Sequence, residues 1–159
     1  MLLILVTSTI LDLSLGYNQY TYSQTSNATS NASTSTTGVH LIDIHQSPAN
    51  LKSGSKFEIF STIVNNSPGI ISFIAGSCDS PLSALFASNV IIKHTRGCSA
   101  TSPPFKLNPG DKVSVAGPGS STIYQAVTPG QTKATVTFHY QTANGQGANV
   151  TKPFVFLIS

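Results

Sequence analysis

Turn chemistry recurs too often in this chain to leave room for a long helix. From Gln46 onward it is punctuated by QSPAN, LKSG, NNSPG, the Pro103-Pro104 pair, NPGD, TPGQ and NGQG. Proline fixes φ and glycine opens positive φ, so each of these marks interrupts regular structure. The runs between such marks read as short strands. The clearest strand is ATVTFHY. Ala134, Val136, Phe138 and Tyr140 alternate there with Lys133, Thr135, Thr137 and His139, which gives a strand one apolar and one polar face.

The remaining runs follow in order. VHLIDIH (Val39–His45) alternates loosely and reads as a first strand. FEIFSTIV (Phe57–Val64) carries apolar side chains on both faces, as a central strand does. NNSPG then turns the chain, and Ile70–Gly76 reads as a return strand paired with the one before it. Ser77–Asn89 is expected to be irregular or a single helical turn, because Leu82, Leu85 and Phe86 have the spacing of a lid over the core. Val90–Arg96 is a further strand, and Ser99–Leu107 is extended. The turns NPGD and TPGQ each open a strand, and Ser121–Val127 lies between them. In the closing run Phe154, Phe156 and Ile158 share one face and Val155 and Leu157 the other, while Pro153 marks an edge strand. About seven or eight short strands without a long helix predict an all-β, antiparallel sandwich.

The N-terminal residues differ in kind. Met1–Leu11 is an apolar run, with the small residues Ser14 and Gly16 before Tyr17, so residues 1–16 are expected to be a signal peptide. Residues 17–38 are rich in serine and threonine and poor in large aliphatic side chains. Such a segment cannot bury enough apolar surface to order itself and reads as a disordered linker. The folded domain is then residues 39–159. Sequons at Asn27, Asn31, Asn65 and Asn149 are candidate glycosylation sites, with Asn65 expected on an exposed hairpin tip. Charged residues make up only 8% of the chain, and the basic ones are scattered apart from Lys93–Arg96, so a nucleic-acid partner is not expected. In an exported chain the two cysteines, Cys78 and Cys98, are most simply one disulfide. The expected location is secreted or cell-surface, with membrane contact only through an uncleaved signal.

The segments LKSGSKFEIFSTIVNNS, LNPGDKVSV, ATVTFHY and PFVFLI resemble bacterial and archaeal extracellular immunoglobulin-like domains over residues 39–159. The resemblance implies a seven- or eight-stranded immunoglobulin-like sandwich at the cell surface and carries over no functional residue. The Cys…Trp…Cys core of antibody domains is absent, since there is no tryptophan.

Little in the chain points to catalysis. Acidic residues number 5, and beyond the expected signal peptide they are Asp43, Glu58, Asp79 and Asp111, with no nucleophile elbow and no paired-carboxylate motif. The expected function is a non-enzymatic structural, adhesion or partner-binding module that contacts a surface protein or glycan and needs no cofactor. The alternative is a metal- or small-ligand-binding sandwich that uses Asp43, His45 and His94. His40 and His45 would fall on opposite faces of a regular strand and could share a site only across a bulge. If a contact surface exists, the Cys78–Cys98 loop with Leu85 and Phe86 is the expected place for it.

Overall fold

Two long antiparallel strands, β9 (Gly130–Gln141) and β10 (Gly147–Ile158), anchor one sheet of the computed structural model, which describes residues 37–76, 78–95, 97–99 and 102–159. The expected signal peptide, nearly all of the linker, and the sequons at Asn27 and Asn31 lie outside these residues. The other strands are β1 (Val39–Ser47), β2 (Lys56–Asn65), β3 (Ile71–Phe73), β4 (Leu82–Phe86), β5 (Val90–His94), β6 (Phe105–Leu107), β7 (Lys112–Gly117) and β8 (Thr122–Ala126). They form two five-stranded sheets. One runs β1-β2-β8-β5 with β7 also on β2, and the other runs β10-β9-β3-β6 with β4 also on β9. Every strand pairing is antiparallel, and no helix occurs among the described residues. The fold is all-β, as the turn spacing and alternation predict, but the described residues form ten strands rather than the seven or eight expected.

One core lies between the sheets. From β9 it takes Ala134, Val136 and Phe138, and from β10 Phe156 and Ile158. Their alternate neighbours Lys133, Thr135, Val155 and Leu157 face outward. Strand β2 supplies Phe57, Ile59 and Ile63 and pairs with β1, β7 and β8, which makes it the central strand its two-faced composition predicts. β10 is an edge strand, as Pro153 predicts. In the NPGD turn Asp111 N–H donates to the Asn108 carbonyl at 3.1 Å, and Gly110 has φ +85°. The Asp111 carboxylate accepts from the Asn108 amide, so it serves the turn itself.

The loose alternation of β1 has a physical cause. The register runs Ile42↔Thr62 and then His45↔Phe60, so one extra residue is inserted between them, with Asp43 at φ +52°. This bulge lets Val39 and Leu41 face the core before it and Ile44 after it.

Three further expectations are corrected. Strands β2 and β3 do not form a hairpin: β2 belongs to one sheet, and β3 pairs with β6 and β9 in the other. NNSPG is therefore an arch between sheets. Its first residue, Asn65, is buried rather than on an exposed tip. The Asn65 Nδ2 donates to the carbonyls of Gly69 and Leu107, both at 2.9 Å, and its Oδ1 accepts from Ser67 N–H and Oγ–H. The amide that a glycan would occupy is thus committed to the arch. Last, residues 82–86 are a strand and not a helical turn. Leu82 and Ala84 face the core, whereas Leu85 is 72% exposed and cannot be a lid.

A buried tyrosine links β8 of one sheet to β4 of the other. Tyr124 on β8 is buried, and its hydroxyl accepts the Ala84 N–H of β4 at 2.8 Å. Burial raises its pKa above the ordinary 10.0, outweighing the opposing effect of the Ala84 hydrogen bond. The fold favours the neutral phenol, so this contribution is complete below 10.0 and fades as pH rises through the raised value. Tyr124→Phe should therefore flatten the alkaline loss of stability, seen by comparing urea midpoints of both proteins at about pH 8 and about pH 11. Parallel declines in the two proteins would contradict this assignment.

Candidate functional site: the disulfide-clamped flank

Cys78 and Cys98, the only cysteines in the chain, are joined as expected, with Cα atoms 5.4 Å apart. The bridge ties the segment ahead of β4 to the one beyond β5. Around it the β7–β8 connection is held close. Ser121 Oγ donates to the Cys78 carbonyl at 2.8 Å, Thr95 Oγ1 donates to the Ser120 carbonyl at 2.8 Å, and Ser80 Oγ donates to the Ala116 carbonyl. Glycine is required at two points here. A Cβ at Gly117 would overlap the Leu82 carbonyl, and one at Gly119 would overlap the Cys78 carbonyl. The absence of those side chains lets the backbones of the two sheets touch.

Two cavities open on either side of this clamp and share Asp79, Ser80, Pro118, Gly119 and Thr122 as walls. The larger, about 720 Å³, lies against β2 and β7 and presents Lys56, Glu58 and Ser114. The smaller, about 240 Å³, lies between β4 and β5 and presents Ala84, Ile92, His94 and Tyr124. Both are open clefts of mixed polarity, suited to the side chains of a partner. Loss of the clamp should be measurable. Closing a loop across a sequence separation of 20 stabilises by about 3 kcal/mol on the chain-entropy account. The double variant Cys78→Ser, Cys98→Ser should therefore melt roughly 10 °C lower by calorimetry. A melting temperature within about 2 °C of the parent would mean the bridge contributes little.

The structure does not bring the metal candidates together. His45 Nδ1 lies 2.9 Å from the Asp43 main-chain carbonyl, and the His45 ring stacks on Phe60 with centroids 5.5 Å apart. His94 sits on β5, at the opposite edge of the sheet from β1, with Nδ1 3.3 Å from Thr122 Oγ1. Among the described residues no group of three or more histidine, cysteine, aspartate or glutamate side chains could hold a metal. The bulge in β1 does place His40 and His45 on one outward face, but at opposite ends of the strand.

The expected contact pair is also split. Leu85 points to solvent, whereas Phe86 joins the inner aromatic cluster with Phe57, Tyr124 and Phe156. Asn149 is exposed on β10. Sequence reasoning missed the contact of Ser83 Oγ with His139 Nε2, 3.2 Å across the β4–β9 pair. Strand register alone creates it, and among the described residues no carboxylate hydrogen-bonds either this ring or that of His94.

No family model matches the chain, and no curated protein does. Among solved structures it is similar to the alkylpurine DNA glycosylase AlkC of Pseudomonas fluorescens, bound to DNA containing an abasic site analog. The identity is 13% over 78% of this chain and 31% of that one, with a TM-score of 0.35. The chain thus spans less than a third of that structure, and so weak a likeness bears on neither fold nor activity.

Proposed function

We propose that residues 39–159 are the head of an exported, immunoglobulin-like β-sandwich module, secreted or held at the cell surface. It acts without catalysis by contacting a surface protein or glycan. The observation that carries this reading is the Cys78–Cys98 bridge, because disulfides persist in oxidising compartments and are rare in the cytosol. Two antiparallel sheets over one core suit the immunoglobulin-like assignment. The paired clefts beside the clamp suit contact with a partner, since binding residues gather where loops meet a rigid scaffold. The Ser/Thr-rich residues 17–38 would serve as a stalk, and membrane contact would occur only through an uncleaved signal.

The test is the intact mass of the protein recovered from its native envelope or medium. The expected species has lost residues 1–16, shows the mass deficit of one disulfide, and carries glycan. Asn149 is the candidate acceptor that lies exposed in the folded head. A full-length chain with reduced cysteines inside the cell would overturn the proposal.

A further inference from the structure

Among the described residues strand β5 pairs on one side only, with β8. Val127 N–H donates to the Asn89 carbonyl at 2.9 Å and Thr95 N–H to the Ser121 carbonyl at 2.8 Å. With the register Val90↔Ala126 through His94↔Thr122, this sets Ile91 and Lys93 as the residues whose backbone faces β8. Val90, Ile92 and His94 therefore turn their N–H and C=O groups outward along a free edge.

Other edges of the sandwich carry protections that β5 lacks. β1 has its bulge and a lysine on it, with Lys152 Nζ donating to the Leu41 carbonyl at 3.1 Å. β10 contains Pro153, and its end is tied down by Ser159 N–H donating to the Leu51 carbonyl at 2.8 Å. On β4 the Leu82 N–H donates to Ser80 Oγ and the Ala84 N–H to the Tyr124 hydroxyl. β6 has only 3 residues. On β5, by contrast, consecutive isoleucines on opposite faces are both open to solvent, Ile91 at 40% and Ile92 at 38%. An uncovered apolar edge of this kind is a template for pairing with another strand.

The geometry points to β5 as a docking edge for an extended, largely apolar peptide that sets an acidic residue opposite Lys93, added antiparallel to Val90–His94. Two observations select that occupant. On the inner face, the cavity of about 240 Å³ beside Ile92 and Tyr124 lies next to the edge and would receive an apolar side chain from the added strand. On the outer face stands Lys93, in the one local group of basic residues in the sequence, Lys93–Arg96. An acidic residue opposite Lys93 would gain a cross-strand charge pair, on the other side of the sheet from the Asp79 that lines the cavity. A second copy of β5 would instead bring the Lys93 side chains of both strands to one face, so self-pairing is the less favoured arrangement. This inference rests on the partner-binding reading and names the class of partner.

The probe is a labelled peptide, Ser-Thr-Glu-Val-Val-Val-Ser, which in the antiparallel register sets its glutamate opposite Lys93 and its first valine opposite Ile92. Fluorescence anisotropy on the disulfide-bonded protein should show saturable binding. Lys93→Glu should weaken it about tenfold, and a peptide with lysine in place of its glutamate should restore it to that variant. N-methylation of the valine opposite Ile92 should abolish binding, because it removes the amide that donates to the edge; this arm needs no change to the protein. Equal binding of the acidic and basic peptides, indifference to N-methylation, or no binding at all would overturn the proposal. So would a protein that ignores the peptide and sediments as a dimer through β5. An exported, oxidised chain that fails these assays would leave the surface-module reading standing, whereas a reduced intracellular chain would remove that reading whatever the peptide does.

Discussion

Phe138→Ala should lower the free energy of unfolding by about 4 kcal/mol, the middle of the usual range for a buried phenylalanine. The ring has no exposed surface and sits on β9, flanked by β10 and β4. It meets Phe73 of the same sheet edge-on at 5.1 Å and stacks with Tyr140 at 5.7 Å. Strand neighbours on both sides are fixed by ladders of hydrogen bonds, so the walls of the new cavity cannot close on it. The loss is then the transfer free energy of the ring together with the cost of a persistent void. In urea the midpoint should fall while the slope stays constant, as expected when the native state weakens without a change in the surface exposed on unfolding. Leu85→Ala is the control. That side chain projects from β4 into solvent at 72% exposure and should change stability by no more than about 0.5 kcal/mol. A loss below about 1 kcal/mol for Phe138→Ala would mean that the two sheets are not packed on this ring.

That contrast between Phe138 and Leu85 also marks how much could be read from the sequence. The faces of β9 and β10 were legible because strict alternation over many residues determines burial with no knowledge of neighbours. The disulfide was legible because two cysteines permit one intramolecular pairing. Leu85 was misread because Leu82, Leu85 and Phe86 fit a helical spacing as well as a strand, and a run this short carries too few positions to separate the two periods. The bulge at Asp43 was hidden for a related reason: an inserted residue shifts the alternation, and the result looks like a weak pattern. The free edge of β5 was invisible, since VIIKH reads equally well with one partner strand or two. Both cavities arise where segments distant in sequence meet, so no local pattern announces them.

The arch after β2 was misread more instructively, and it supports the second large effect, that of Asn65→Asp. NNSPG has the chemistry of a hairpin turn, and a hairpin and an inter-sheet arch use the same residues. What separates them is the fate of the asparagine side chain. Its amide nitrogen donates both hydrogens to main-chain carbonyls, one within the arch at Gly69 and one across to Leu107 on β6. Its backbone takes part as well: Asn65 N–H donates to the Asp111 carbonyl at 3.0 Å, and the Asn65 carbonyl accepts the Gly110 N–H. An aspartate is nearly the same size but has no amide hydrogens. Ionised, it would set a negative oxygen against two carbonyl oxygens in a buried site. Protonated, it could donate to one of them and would leave the other without its hydrogen bond. Holding the proton at pH 7 against an ordinary aspartate pKa of about 3.9 costs about 4 kcal/mol, and this caps the ionic part of the penalty. The lost hydrogen bond adds about 1–3 kcal/mol at any pH. The total destabilisation at pH 7 should therefore approach about 5–7 kcal/mol. Because the introduced carboxyl has a raised folded-state pKa, the ionic part should shrink as pH falls and vanish below about pH 3.9. Urea midpoints of both proteins from about pH 4 to about pH 7 would trace that convergence. A deficit independent of pH would mean that the carboxylate reaches water, and that Asn65 stands at an exposed tip after all.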